Sequence, residues 1–136
     1  MDKDIKELTN ECLEKSVGGN NLLESEMTVP NSSIVDRAIS ELGKPYIWGG
    51  VGPSGYDDSG LVSYCLTGIH TRIGTTSTFM GWSRVNNPLP GDICVSSSHC
   101  GIYVEPNCMI HAPTYGTVVS YGPIQSDMII VRYQCI

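Results

Sequence analysis

Residues 56–66 read YDDSGLVSYCL. A glycine-rich run, YIWGGVGPSG at 46–55, leads in, with four glycines in seven residues from Gly49 to Gly55. Leu61, Val62, Cys65 and Leu66 then recur at helical spacing, so a helix is expected from about Ser59 to Cys65 or Leu66, with Gly68 as its stop. The run in front is a tight loop in which backbones approach closely. It lacks the G-x-x-x-x-G-K of a phosphate loop. Two carboxylates, Asp57 and Asp58, therefore sit where loop becomes helix. Free N–H groups and the helix dipole stabilise negative charge there. One of the two suffices as a cap, a role worth ~1 kcal/mol, and Asp57 is placed for it.

Outward from this junction the pattern divides in two. Upstream, Ile34, Val35, Ala38, Ile39 and Leu42 follow at helical spacing, with Asn31, Ser32 or Ser33 as cap and Gly43 as end. Ser33 with Asp36 resembles a capping box. Residues 1–30 read as a loosely attached leader or linker, with Gly18, Gly19 and Pro30 as breakers, and 31–136 as the domain. Residues 70–88 show no clear period, and 75–79 and 82–85 suit short helices or loops. After the Leu89-Pro90-Gly91-Asp92 turn come short β-branched segments at 92–95, 99–104, 108–112, 117–121 and 128–133. Helices followed by antiparallel strands make an α+β domain, helices on one sheet.

Composition narrows the function. The chain has 136 residues, enough for one domain with a core, and a formal charge of −6. Its eight basic residues are scattered and no two are adjacent, which argues against nucleic acid and anionic membrane as partners. No run of ~18 apolar residues exists to span a bilayer, and the N-terminus lacks the apolar stretch of a secretory signal. Six cysteines permit disulfides, but no C-x-x-C pair suggests a zinc ribbon. Cys65, Cys94, Cys100 and Cys108 lie in apolar surroundings and read as buried small hydrophobes.

Three histidines remain. His70 follows a helix end in a polar stretch and should be exposed. His99 and His111 lie on strand segments, and by alternation His99, Gly101 and Tyr103 share a face. Spacing alone leaves both as satisfied structural residues.

Taken together, G-K-P-Y-x-W-G-G (43–50), D-x-S-G-L-V (57–62), L-P-G-D (89–92), H-x-G-I-Y (99–103) and M-I-H-A-P (109–113) resemble the NlpC-type bacterial cell-wall peptidases, a papain-like group. The resemblance runs from about Ile34 to Tyr133. It implies a papain-like α+β fold with N-terminal helices on a five- to six-stranded antiparallel sheet. It also implies a Cys-His-His site that cuts peptidoglycan stem peptides between D-glutamate and a diamino acid. Carried over, His99 is the base, His111 orients it and Tyr46 lies near the oxyanion. Asp57 and Ser59 hold the substrate peptide, and Trp82 is a candidate wall of the groove.

Asp58 stands where the family has its nucleophilic cysteine. Cys65 lies about two turns further on, roughly 10 Å away, and cannot stand in. A carboxylate that attacked an amide would form an anhydride, which acylates better than the amide it came from and collapses backwards. The chain as written is therefore expected to be inactive. The otherwise intact pocket points to an engineered, silencing substitution; a natural pseudoenzyme that binds wall peptide is the alternative. Asp58, His99 and His111 also spell a two-histidine, one-carboxylate metal set. A middle histidine that uses opposite ring nitrogens keeps the outer two from sharing an ion, so no metal and no cofactor is expected. The partner implied is the peptidoglycan stem peptide. The protein is read as a monomer, secreted or wall-associated as part of a longer exported chain.

Overall fold

The computed structural model describes residues 32–133. The expected leader, 1–30, lies outside them. Among the described residues three helices, α1 (Ser32–Ser40), α2 (Asp58–Thr67) and α3 (Thr76–Met80), precede five strands: β1 (Ile93–Val95), β2 (Cys100–Glu105), β3 (Cys108–His111), β4 (Ser120–Gly122) and β5 (Ile129–Val131). The strands form one antiparallel sheet in the order β4-β3-β2-β1-β5. The α+β reading holds, with five strands.

The register explains the core. Val131, Ile93, Ile102, Ile110 and Tyr121 are paired neighbours across all five strands. This row is buried against Ile34 and Ala38 of α1, Leu61, Val62 and Cys65 of α2, and Phe79 of α3. The β-branched residues suit the pleat and fix the register, because a one-residue slip would turn the whole row away from the helices. On the opposite face Cys94, Tyr103 and Met109 form a second buried cluster with Ile124, Met128 and Ile130.

The helix ends follow the sequence signals, with one correction. Ser32 and Ser33 lie inside α1, so neither caps it and the Ser33–Asp36 box does not form there; Asn31 lies outside the described residues. After Ser40 the chain tightens through Glu41 N–H to Ala38 O and Leu42 N–H to Ile39 O. Gly43 then turns with φ 91°. Gly68 ends α2 in the left-handed region, as read. Of the two short-helix candidates, only 76–80 is helical. In the other, Arg84 bridges to Val131 at the sheet edge.

One further expectation changes and one is extended. Cys65, Cys94 and Cys100 are free and buried, but Cys108 is disulfide-bonded. Asp92 does fix the turn, accepting from Leu89 N–H, yet its buried carboxylate also takes a two-pronged bond from Arg132, 2.8 and 2.9 Å. A buried carboxylate needs such a partner.

Candidate active site

The start of α2 is locked before any functional side chain is placed. Asp57 is the N-cap: its Oδ1 accepts from Gly60 N–H at 2.7 Å. Its own N–H donates to Gly50 O at 3.0 Å, tying the glycine loop to the helix. Gly60 has no room for a side chain, because a Cβ there would run into Gly50 O. The glycines of the opening stretch thus permit the close approach that fixes Asp58 in space.

Asp58 is the first residue of α2, beside the end of the sheet where β2 begins and β3 ends. His99 directly precedes β2 and His111 closes β3. The structure brings these three into a line. His99 Nδ1 lies 3.3 Å from Asp58 Oδ2, and His99 Nε2 lies 2.7 Å from His111 Nδ1. The middle ring uses opposite nitrogens toward its two neighbours, so His111 lies beyond His99 from Asp58. Among the described residues no group of three or more His, Cys, Asp or Glu is placed to hold a metal ion.

Two glycines make space for the second histidine. A Cβ on Gly122 would strike the His111 ring, and one on Gly101 would meet His111 Cβ at 2.9 Å. Sequence reasoning noted Gly101 only as a face-mate of His99 and missed Gly122.

The charges are ordered. Burial pushes the Asp58 pKa up, but the His99 ring and the Ser59 N–H, 2.8 Å from Oδ1, outweigh it and hold the carboxyl below its usual range. Burial and the neighbouring His99 push His111 down to about 4, against a weaker upward pull from Asp58. His111 is therefore neutral near pH 7. A 2.7 Å gap between two ring nitrogens accommodates one hydrogen, so the tautomers of the two rings are coupled. Burial, then Asp58 and Asp57, raise the Tyr46 phenol, which places that hydroxyl in the field of the same carboxylates.

Arg72 was missed in the sequence. It lies in the stretch without period, and only the chain's return to the helix start reveals it. Its guanidinium forks onto Asp57, Nη1 to Oδ1 at 3.0 Å and Nη2 to Oδ2 at 2.9 Å, and Nη1 also donates to Ser59 Oγ. Asp57 is thus neutralised and held, while Asp58 faces His99. Arg72→Ala should cost about 1 kcal/mol of stability, and Arg72→Lys should recover less than half of it, because an ammonium lacks the fork. Urea unfolding of the three proteins measures both.

The remaining candidates separate. Ser59 is buried beside Asp57. Trp82 packs on Phe79 and Tyr133, with ring centroids 5.0 and 5.5 Å away, half-buried against the core. Packing accounts for it, and its place in a groove stays a proposal. His70 is exposed, stacked on Tyr64 at 4.4 Å, with Nδ1–H donating to Val51 O. Among the described residues the free thiols Cys65, Cys94 and Cys100 are buried and their pKa values raised by burial, so none of the three is a thiolate near the line.

Comparison with known proteins gives the family and the fold. The NlpC/P60 family profile matches residues 43–136. The chain is 38% identical over 98 residues to the probable peptidoglycan endopeptidase LytE of Bacillus subtilis, covering 65% of this chain and 29% of LytE. It is 34% identical over 103 residues to a probable endopeptidase of Mycobacterium tuberculosis, covering 71% and 27%. It thus spans under a third of the length of these relatives. The crystal structure of the NlpC/p60 domain of the peptidoglycan hydrolase SagA superposes with a TM-score of 0.66 at 30% identity, over 77% of this chain and 100% of that one. A mutated form of the Resuscitation Promoting Factor Interacting protein RipA also gives 0.66 at 28% identity, over 76% and 61%. The profile match extends over more than half of the sequence, and the glycine loop, capped helix and paired histidines lie within it: the chain belongs to the NlpC/P60 family.

Proposed function

We propose that this is a peptidoglycan stem-peptide endopeptidase domain, directed to the bond between D-glutamate and a diamino acid, and silent as written because Asp58 occupies the nucleophile position. The observation that carries the reading is the Asp58–His99–His111 line. A base and its orienting partner are in place, and the atom facing the base is a carboxylate oxygen instead of sulfur. Tyr46 is assigned to the oxyanion side of that point, and Asp57, Ser59 and Trp82 to substrate binding. The relatives described as peptidoglycan endopeptidases support the substrate class. No helix among the described residues is long and apolar enough to cross a membrane. We assign the domain to residues 31–136, with 1–30 as its leader, acting as a monomer within an exported, wall-associated protein.

His99 Nδ1, the ring atom that should accept a nucleophile's proton, faces a depressed carboxylate oxygen that has no proton to give and makes no stable acyl intermediate. Binding needs neither sulfur nor a free base and should persist. Calorimetry with a D-glutamyl–diamino acid peptide should give saturable binding. Mass spectrometry of the same mixture should show no product above blank. Turnover by the Asp58 protein, or no binding at all, overturns the proposal.

A further inference from the structure

Only part of the Arg72 guanidinium is taken up by the brace on α2. Its end-on fork, Nη1 and Nη2, grips Asp57 at 3.0 and 2.9 Å, and the second Nη1 hydrogen goes to Ser59 Oγ. That uses three of five N–H donors. The Nε–H and the outer Nη2–H remain, and neither has a partner among the described residues. In a planar guanidinium these two point the same way and form a second, side-on fork. Two other arginines fill that edge. Arg132 sets Nε and Nη2 on Asp92 at 2.8 and 2.9 Å. Arg37 sets them on carbonyls near the end of α2, Cys65 O at 2.7 Å and Leu66 O at 3.3 Å. On Arg72 the same edge is open, and the side chain is 28% exposed.

This guanidinium stands beside position 58. Asp57 and Ser59 are the chain neighbours of that position, and Arg72 bonds to both. The Tyr46 phenol lies in the combined field of Asp58, Asp57 and Arg72, so guanidinium, phenol and helix start share one space. Ser59 adds a donor. It is buried, 6% exposed. Its oxygen accepts from Arg72, so its own O–H is left to give, with no acceptor among the described residues. A brace for Asp57 accounts for the end-on fork alone. Two parallel donors and a buried hydroxyl hydrogen without an acceptor are left over, and buried donors are costly to leave unmet.

We infer that Arg72 is a specificity-determining residue that takes a substrate carboxylate on its Nε–Nη2 edge, with the Ser59 O–H as a further donor. This rests on the proposed peptide cleft, which supplies the occupant. A D-glutamyl residue joined to a diamino acid has two carboxyls, of which the scissile bond consumes one. The other stays on the same residue, a few bonds from the carbonyl to be attacked. It needs a cationic partner there, because Asp57 and Asp58 already crowd the helix start with negative charge. A carboxylate meets the side-on fork with two parallel bonds. The matching carboxamide has one oxygen and an NH2 group, which sets a donor against a donor. Arg72 therefore selects the free acid over the amidated form.

Two peptides that differ at that group alone make the test: a D-glutamyl–diamino acid peptide with the unlinked carboxyl free, and the same peptide with it amidated. In calorimetry the acid should bind roughly tenfold tighter than the amide. Arg72→Gln should erase that preference, whereas loss of a mere brace weakens both peptides alike and leaves their ratio unchanged. Arg72→Lys should keep part of it, since an ammonium carries the charge without the fork. In the unaltered protein, labelled with nitrogen-15, the Arg72 Nε–H resonance should move with the acid and stay with the amide. Equal affinity for acid and amide overturns the assignment while the cleft stands. So does a preference that survives Arg72→Gln, or an unmoved Nε–H with the acid bound. If neither peptide binds, acetyl-D-glutamate separates the two readings. A moved Nε–H then overturns the cleft and keeps the carboxylate site, and an unmoved one overturns both.

Discussion

Asp58→Cys should release product from muropeptides at least ~10³-fold faster than the Asp58 protein, which should sit at background; removing a nucleophile from an assembled triad commonly costs roughly 10⁴–10⁶ in rate. The argument is atomic. A thiol at 58 would start α2, where the dipole and the free N–H groups favour its thiolate. Asp58 already directs an oxygen to 3.3 Å from His99 Nδ1, so a sulfur on the same Cβ lies within reach of that ring. His99 would take the thiol proton, and His111, neutral and 2.7 Å away on the far nitrogen, would hold the ring. Asp57 keeps the cap and its Arg72 fork, so the helix start needs no rearrangement. Adding His99→Ala to the cysteine protein should return it to background. A folded Asp58→Cys protein that still binds peptide and releases nothing would remove His99 and His111 from the catalytic assignment.

Acidification should destabilise the domain through His111. Its folded pKa is depressed to about 4 by burial and by His99, against ~6.5 for a histidine in the unfolded chain. Between these values the unfolded chain holds a proton that the folded one refuses. Stability therefore rises with pH across the window and falls on acidification from 6.5 to 4. The full loss is about 3 kcal/mol, a large share of the margin of a domain this size. Asp58 acts below that window. Its depressed carboxyl contributes stability above the unfolded pKa near 3.9, and that contribution disappears as pH falls through its lower folded value. Urea unfolding at half-unit steps should show a slope approaching one proton between pH 6.5 and 4. His111→Gln should flatten that part of the curve, although it is less stable near pH 7. A wild-type curve flat from 6.5 to 4 would contradict the buried, neutral assignment.

Periodicity made most of the frame legible. Ile34, Val35 and Ala38 marked α1, the Leu61–Leu66 spacing marked α2, and the β-branched segments placed four strands within two residues, while β4, expected from 117, begins only at Ser120. The line of Asp58, His99 and His111 was readable from motifs in order, since each motif sits at an element's end and the ends meet. Residues whose roles depend on a distant return of the chain were hidden. Arg72 reaches Asp57 across fifteen residues of loop and helix and has no local pattern to announce it. Gly122 matters for a side chain on the neighbouring strand, and a lone glycine after a strand reads as a turn. Cys108 looked like any other apolar-flanked cysteine, because a bond partner leaves no trace in its own neighbours. Trp82 invited a functional reading by lying in an unpatterned stretch, whereas Phe79 and Tyr133 close around it.

The contact of Gly60 with Gly50 joins two pieces that are ten residues apart in the chain. With no side chain between them, the loop bearing Trp48 and the tip bearing Asp58 shift as one unit. Transplanting that loop into a relative would therefore require carrying the third residue of the helix along with it, and a longer loop would tilt position 58 away from the histidines before touching either of them.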